Sequence, residues 1–134
     1  KERKIIERSL GGQWIKESSI LGCFASSTEL NKACYIDVFT GIVTSCTDAE
    51  VTDSCTRPER LLNYNKNTYE YSYRSVTADN QPSKFHRIIS IKLYDNQQGE
   101  QEALVTSKVV WKTGSLLGTT RKFEIKERLI NWQR

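Results

Sequence analysis

Phe85-His86-Arg87-Ile88-Ile89-Ser90-Ile91-Lys92-Leu93-Tyr94 decides the fold. Arg87, Ile89, Ile91 and Leu93 share one parity; His86, Ile88, Ser90 and Lys92 share the other. Successive side chains of a strand point to opposite faces. The stretch therefore reads as a β-strand with one apolar face and one mixed face. Downstream, residues 95–100 hold Gly99 and read as a turn. Residues 104–112 form a second strand, with Val105, Val109 and Trp111 on one side. Another turn follows at 113–118, and then a strand at 119–126 that brings Arg121, Phe123 and Ile125 to one face. The tail, 127–134, holds Leu129, Ile130 and Trp132. Upstream, residues 68–77 alternate around Tyr69, Tyr71 and Tyr73, and residues 78–84, with Asn80 and Pro82, form a turn. Four strands at short intervals with turn signals between them make an antiparallel meander.

The front of the chain reads differently. In residues 1–15, Ile6, Leu10 and Trp14 recur every four residues, and Lys1, Arg3, Lys4, Glu7 and Arg8 fall on other faces. That spacing predicts an amphipathic helix, weakened at Gly11-Gly12 by about 1 kcal/mol per glycine. The expected fold class is therefore α+β. An N-terminal helix packs on a four-stranded antiparallel sheet, with a disulfide-bonded loop and hairpin inserted between them. The helix face Ile6, Leu10 and Trp14 is expected to meet Ile89, Ile91, Val109, Trp111, Phe123 and Ile125. The 134 residues suit one domain: 1–15 the helix, 16–67 a variable cysteine-rich loop, 68–134 the sheet.

The loop carries all four cysteines, Cys23, Cys34, Cys46 and Cys55. They include no C-x-x-C, and the one histidine, His86, lies outside the cluster. Zinc sites use close ligand pairs, so the spacing points to two disulfides and an oxidising compartment. Tyr35–Val38 and Ile42–Ser45 flank Phe39-Thr40-Gly41, a three-residue loop ending in glycine. Counting outward sets Cys34 opposite Cys46 and leaves Cys23 for Cys55. The alternative, Cys23–Cys34 with Cys46–Cys55, stays open. Residues 47–67 read as a polar surface loop with one helical turn at 58–62.

Chemistry is sparse. A single His must serve any Ser or Cys triad, and Gly11-Gly12 lacks the Lys-Ser/Thr of a phosphate loop. Asp48, Glu50 and Asp53 are acidic neighbours without the glycine and terminal Glu of a calcium loop. The expectation is no enzyme, no metal and no cofactor. Charge is uneven: residues 84–134 carry 10 Lys and Arg against 5 Asp and Glu, while 23–83 carry 5 against 8. Lys84, Lys108, Lys112 and Lys122 are candidate contacts for an anionic partner, with His86, Lys92 and Lys126 alongside on one strand face. Glu100, Glu102, Glu124 and Glu127 are interspersed, so DNA binding is expected to be weak at most. The tyrosine row 69, 71, 73 is a candidate base-stacking surface, but such a row more often packs against its own protein.

Four motifs in order carry a resemblance: Phe85–Ile91, then Leu104–Trp111, then Arg121-Lys122-Phe123-Glu124-Ile125, then Leu129-Ile130-Asn131-Trp132. This succession resembles the C-terminal sheet of type IV minor pilins and pseudopilins, over about 50 residues. The resemblance implies a non-enzymatic filament subunit used in attachment, motility or DNA uptake. It would sit at the cell surface, anchored in the cytoplasmic membrane before assembly by an apolar helix ahead of Lys1. Its partners would be other pilin subunits and a surface receptor. An adhesin-like or DNA-binding surface module is the alternative.

Overall fold

The computed structural model describes residues 6–7, 15–16, 23–49, 53–95, 97–99, 101–114 and 118–130. They form eleven strands: β1 (Ile6–Glu7), β2 (Ile15–Lys16), β3 (Phe24–Ala25), β4 (Lys32–Ile36), β5 (Val43–Thr47), β6 (Asn63–Asn65), β7 (Glu70–Ser72), β8 (Asn80–Pro82), β9 (Phe85–Asp95), β10 (Gln101–Thr113) and β11 (Thr119–Ile130). The main sheet runs β11-β10-β9-β4-β5, with β3 parallel to β9. A small antiparallel sheet, β7-β6-β8, sits in the connection between β5 and β9, and β1 pairs with β2.

The α+β expectation fails. No α-helix occurs among the described residues, and the front of the chain pairs as strands, Ile6 opposite Lys16 and Glu7 opposite Ile15. The physical reason lies in the spacing itself. Positions 6, 10 and 14 are four apart, which suits one helix face but equally one parity of a strand. Leu10 and Trp14 lie outside the described residues, and so does the expected packing of that face on the sheet. The cysteine segment is not an inserted loop either: β3, β4 and β5 belong to the main sheet, which has six strands, not four.

Three of the four expected meander strands pair as β9, β10 and β11 and are longer than expected, whereas the fourth, the tyrosine segment, is β7 of the small sheet. β9 and β10 pair from Gln101 opposite Asp95 to Trp111 opposite Phe85. β10 and β11 pair from Glu102 opposite Ile130 to Thr113 opposite Thr119. Gly118 allows the second turn to close, because a Cβ there would lie 2.8 Å from the Thr113 carbonyl oxygen. Glu102 is buried and paired with Arg128, which ties the end of β11 down. The tyrosine strand is cut short. Tyr69 sits in a turn at φ +58°, Tyr71 lies in β7, and Tyr73 stacks on Tyr35 with ring centroids 4.9 Å apart. The row does not form one face.

The core is two-sided. Cys23, Phe24, Cys34, Ile36, Ile89, Ile91, Ala103 and Val105 cluster on one face of the main sheet. Ala33, Cys46, Cys55, Ile88 and Val110 cluster on the other. Each face holds one disulfide: Cys23–Cys34 on the first, Cys46–Cys55 on the second. The expected pairing of Cys34 with Cys46 is thus corrected to the alternative. The hairpin exists, but its loop has four residues, not three. Asp37 N–H donates to the Ile42 carbonyl (2.9 Å) and Gly41 N–H to that of Asp37 (2.8 Å). Gly41 takes the left-handed conformation at φ +74°. The extra residue sets Ala33, not Cys34, opposite Cys46. A one-residue slip moves a side chain to the other face, so Cys34 and Cys46 point away from each other.

Two predictions follow from this core. Peptide mapping without reduction should return Cys23 joined to Cys34 and Cys46 joined to Cys55; a Cys34–Cys46 peptide would contradict the register. Replacing either pair by serine should cost roughly 2.5–3 kcal/mol, from the chain entropy of loops this long. The second concerns Tyr73, whose hydroxyl donates to the Arg87 carbonyl at 3.1 Å. Burial pushes its pKa from 10.0 up to about 12, against the opposing pull of Arg87. The folded state therefore favours the protonated phenol. That stability is complete below pH 10 and is lost as pH rises toward 12, a change of about 2–3 kcal/mol. Tyr73→Phe should lose about 1 kcal/mol at neutral pH and show a shallower alkaline decline. Identical alkaline unfolding profiles for the two proteins would exclude this role.

Candidate functional site

Parity along the meander builds the site. His86, Ile88, Ser90 and Lys92 of β9, Thr106, Lys108, Val110 and Lys112 of β10, and Thr120, Lys122, Glu124 and Lys126 of β11 share one face by register. Near the sheet's middle this face is apolar and covered, at Ile88 and Val110. Toward the turn between β10 and β11 it opens into a cleft of about 820 Å³. The cleft has Val110, Trp111, Pro58 and Leu61 as apolar lining and Lys84, Lys108, Lys112 and Lys122 as its cations.

All four lysines singled out in the sequence thus line one cleft, although they come from two strands, β10 and β11, and the bend before β9. They are not equivalent. Lys108 is ion-paired with Asp48, sixty residues earlier in the chain, and both are largely withdrawn from water. Its charge is spent on holding the 46–55 disulfide loop against β10. Lys84 is exposed beside the Phe85 ring, with its Nζ 5.6 Å from the ring centroid. Lys122 is well exposed, 3.9 Å from Glu124. Lys112 is exposed at the cleft's edge. A smaller cavity of about 190 Å³ continues along the same face past Ser90, Lys92, Glu124 and Lys126.

The opposite wall is the loop that follows β5, which sequence reasoning treated only as a surface connection. Asp53 closes an Asx turn: its carboxylate accepts from Cys55 N–H (2.8 Å), Thr56 N–H (3.2 Å) and the Thr56 hydroxyl (2.7 Å). Arg60 donates to the Ser54 carbonyl at 2.6 Å, and its guanidinium lies 5.2 Å from the Tyr35 ring centroid. His86 bonds the Arg57 carbonyl through Nε2 at 3.1 Å. A carbonyl only accepts, so Nε2 carries the proton. The signals for this wall were local, in the Asp-Ser-Cys-Thr turn and Arg57-Pro58, but its position beside β10 is a long-range fact.

His86 is engaged with backbone, the four cysteines are in disulfides, and the Thr56 hydroxyl that donates to the Asp53 carboxylate is part of a backbone turn. Asp48 and Asp53, the described members of the acidic cluster, are turned to Lys108 and to a backbone turn. Among the described residues no group of three or more potential metal ligands converges. What remains is an apolar-lined cleft with three solvent-facing cations, suited to an anionic partner that also presents a flat or apolar part.

Comparison with protein-family models, with curated proteins and with solved structures returns no match, and so none of the three points to a type IV pilin.

Proposed function

We propose that this chain is a non-enzymatic subunit of a type IV pilus-like or pseudopilus-like surface filament, whose sheet-built head acts through its surface. One observation carries the reading. As far as Ile130, the motifs that resemble the pilin C-terminal sheet fall on β9, β10 and β11, three consecutive strands of one antiparallel meander in continuous register. Two disulfides fit a head displayed in an oxidising compartment. The support comes from the sheet alone, since among the described residues the front of the chain contributes strands and no helix. The gene should encode an apolar stretch of about 20 residues ahead of Lys1, long enough to span a bilayer. Antibody to this chain should label sheared surface filaments, and deletion should impair attachment, twitching or DNA uptake. A hydrolytic activity abolished by His86→Ala would overturn the reading.

The lysine cleft favours a second role on the same head, capture of an anionic polymer such as DNA. Lys84, Lys112 and Lys122 supply about three phosphate contacts, and each contributes roughly 0.9 to the slope of log affinity against log salt. A mobility shift at low salt should therefore fade with a slope near 3 (about 0.9 per contact). Lys84→Glu and Lys122→Glu should each weaken it, and Lys66→Glu, outside the cleft, should not. Binding unaffected by the first two variants would remove the cleft from any such role.

A further inference from the structure

β11 is the outer strand of the main sheet, and eleven of its twelve residues are exposed. Among the described residues nothing pairs with its outer edge. Natural edge strands are usually short, bulged or covered, and this one runs straight through twelve residues without Gly or Pro. Phe123 and Ile125 stand on it at 58% and 60% exposure. They lie on the face opposite the cleft, beside half-buried Val109, which is Phe123's partner in register.

We infer that β11 is a self-association edge, on which a second copy of this chain pairs antiparallel about a two-fold axis at Glu124. The charge and apolar pattern selects both the partner and the register. Two copies that continue one sheet must set like parities opposite each other, so the axis passes through a residue. With the axis at Glu124, Phe123 meets the partner's Ile125 twice over, and Arg121 meets the partner's Glu127 twice over. The four central pairs on that face are then apolar with apolar or cation with anion, the combinations that stabilise strand pairing, and Thr119 meets the partner's Leu129 at the ends. A carboxylate accepts from more than one donor, so the contact adds to those Glu127 makes within its own chain. On the cleft face the two Glu124 side chains meet. Lys122 faces the partner's Lys126 on either side of them, like-charge pairs that cost stability; each Glu124 stands 3.9 Å from Lys122 and 3.7 Å from Lys126 of its own chain, so the two carboxylates between the lysine pairs offset that repulsion.

On the Phe123 face neighbouring registers lack this match. An axis at Ile125 sets Phe123 against glutamate and Arg121 against leucine. An axis at Lys126 sets Ile125 against glutamate. An axis at Phe123 sets Arg121 against isoleucine. A contact made by one strand edge is smaller than a standard stable interface, so the dimer dissociates on dilution. The inference does not rest on the filament reading, since a closed two-fold pair forms in a chain of any function.

Sedimentation equilibrium of the disulfide-intact chain over a wide concentration series should show a reversible monomer–dimer equilibrium. Arg121→Glu should raise the dissociation constant roughly tenfold or more, from two like-charge pairs. Glu127→Arg should do the same, and the double variant Arg121→Glu/Glu127→Arg should restore dimerisation by exchanging the charges. Circular dichroism and unfolding midpoints close to the parent's establish that each variant is folded. Mild oxidation of Glu124→Cys should give a covalent dimer, and Ile125→Cys should give far less. A chain monomeric at every concentration, a double variant no better than the singles, or preferential cross-linking at position 125 would each overturn the assignment.

Discussion

β9 is buried on both of its faces, and most of the architecture follows from that demand. Ile89 and Ile91 point to one side and Ile88 to the other, and all three are nearly inaccessible to water. A strand of this kind needs a cover on each side, whereas a solvated antiparallel sheet needs only one. A small chain has little apolar surface to spend on two cores. It staples each cluster instead, with Cys23–Cys34 among Ile89 and Ile91 and Cys46–Cys55 against Ile88 and Val110. The four-residue loop at Gly41 is what permits this. Had the loop three residues, Cys34 and Cys46 would share a face, and one cover would lose its staple.

The second disulfide also shapes the surface. Its loop carries Asp48, and the Asp48–Lys108 pair holds the loop against β10 at a point where Ile88 is already covered. A largely buried ion pair is a weak source of net stability, because desolvation offsets much of the attraction. Its geometric effect is larger. With the loop fixed there, Pro58 and Leu61 stand as one wall of the cleft, and the lysines at 84, 112 and 122 are left on the open side. The cleft is thus a by-product of how one face of the core is closed, and its basic character comes from the strand parity that put lysines outward.

What the sequence disclosed depended on the range of the interaction. The three long strands were legible because a period of two over ten residues has no competing reading, and the same parity sets Lys108, Lys112 and Lys122 on the face whose cleft Lys84 also lines. The β4–β5 hairpin was legible, but its register was not, because Phe39-Thr40-Gly41 closes equally well as part of a four-residue loop. Ile6, Leu10 and Trp14 misled because a spacing of four satisfies helix and strand alike. The Asp48–Lys108 pair, sixty residues apart, has no local signature, and neither does the His86 contact with Arg57.

Parity on β11 separates its two surfaces and couples them at once. Lys122, Glu124 and Lys126 face the cleft side, and Arg121, Phe123, Ile125 and Glu127 face away. A second copy joined about Glu124 continues the sheet without turning it over, because the two-fold axis stands normal to the sheet. Both clefts then open on the same side, and the seam between them is lined by Lys122 and Lys126 from each copy, with the two glutamates between. A short anion would gain nothing from this. A long anionic chain lying across β11 would meet both clefts and the lysines between them, and the second engagement would be intramolecular, with an effective concentration set by the spacing of the clefts. Edge pairing would thus convert a weak basic cleft into a polymer-length selector without adding a residue to it.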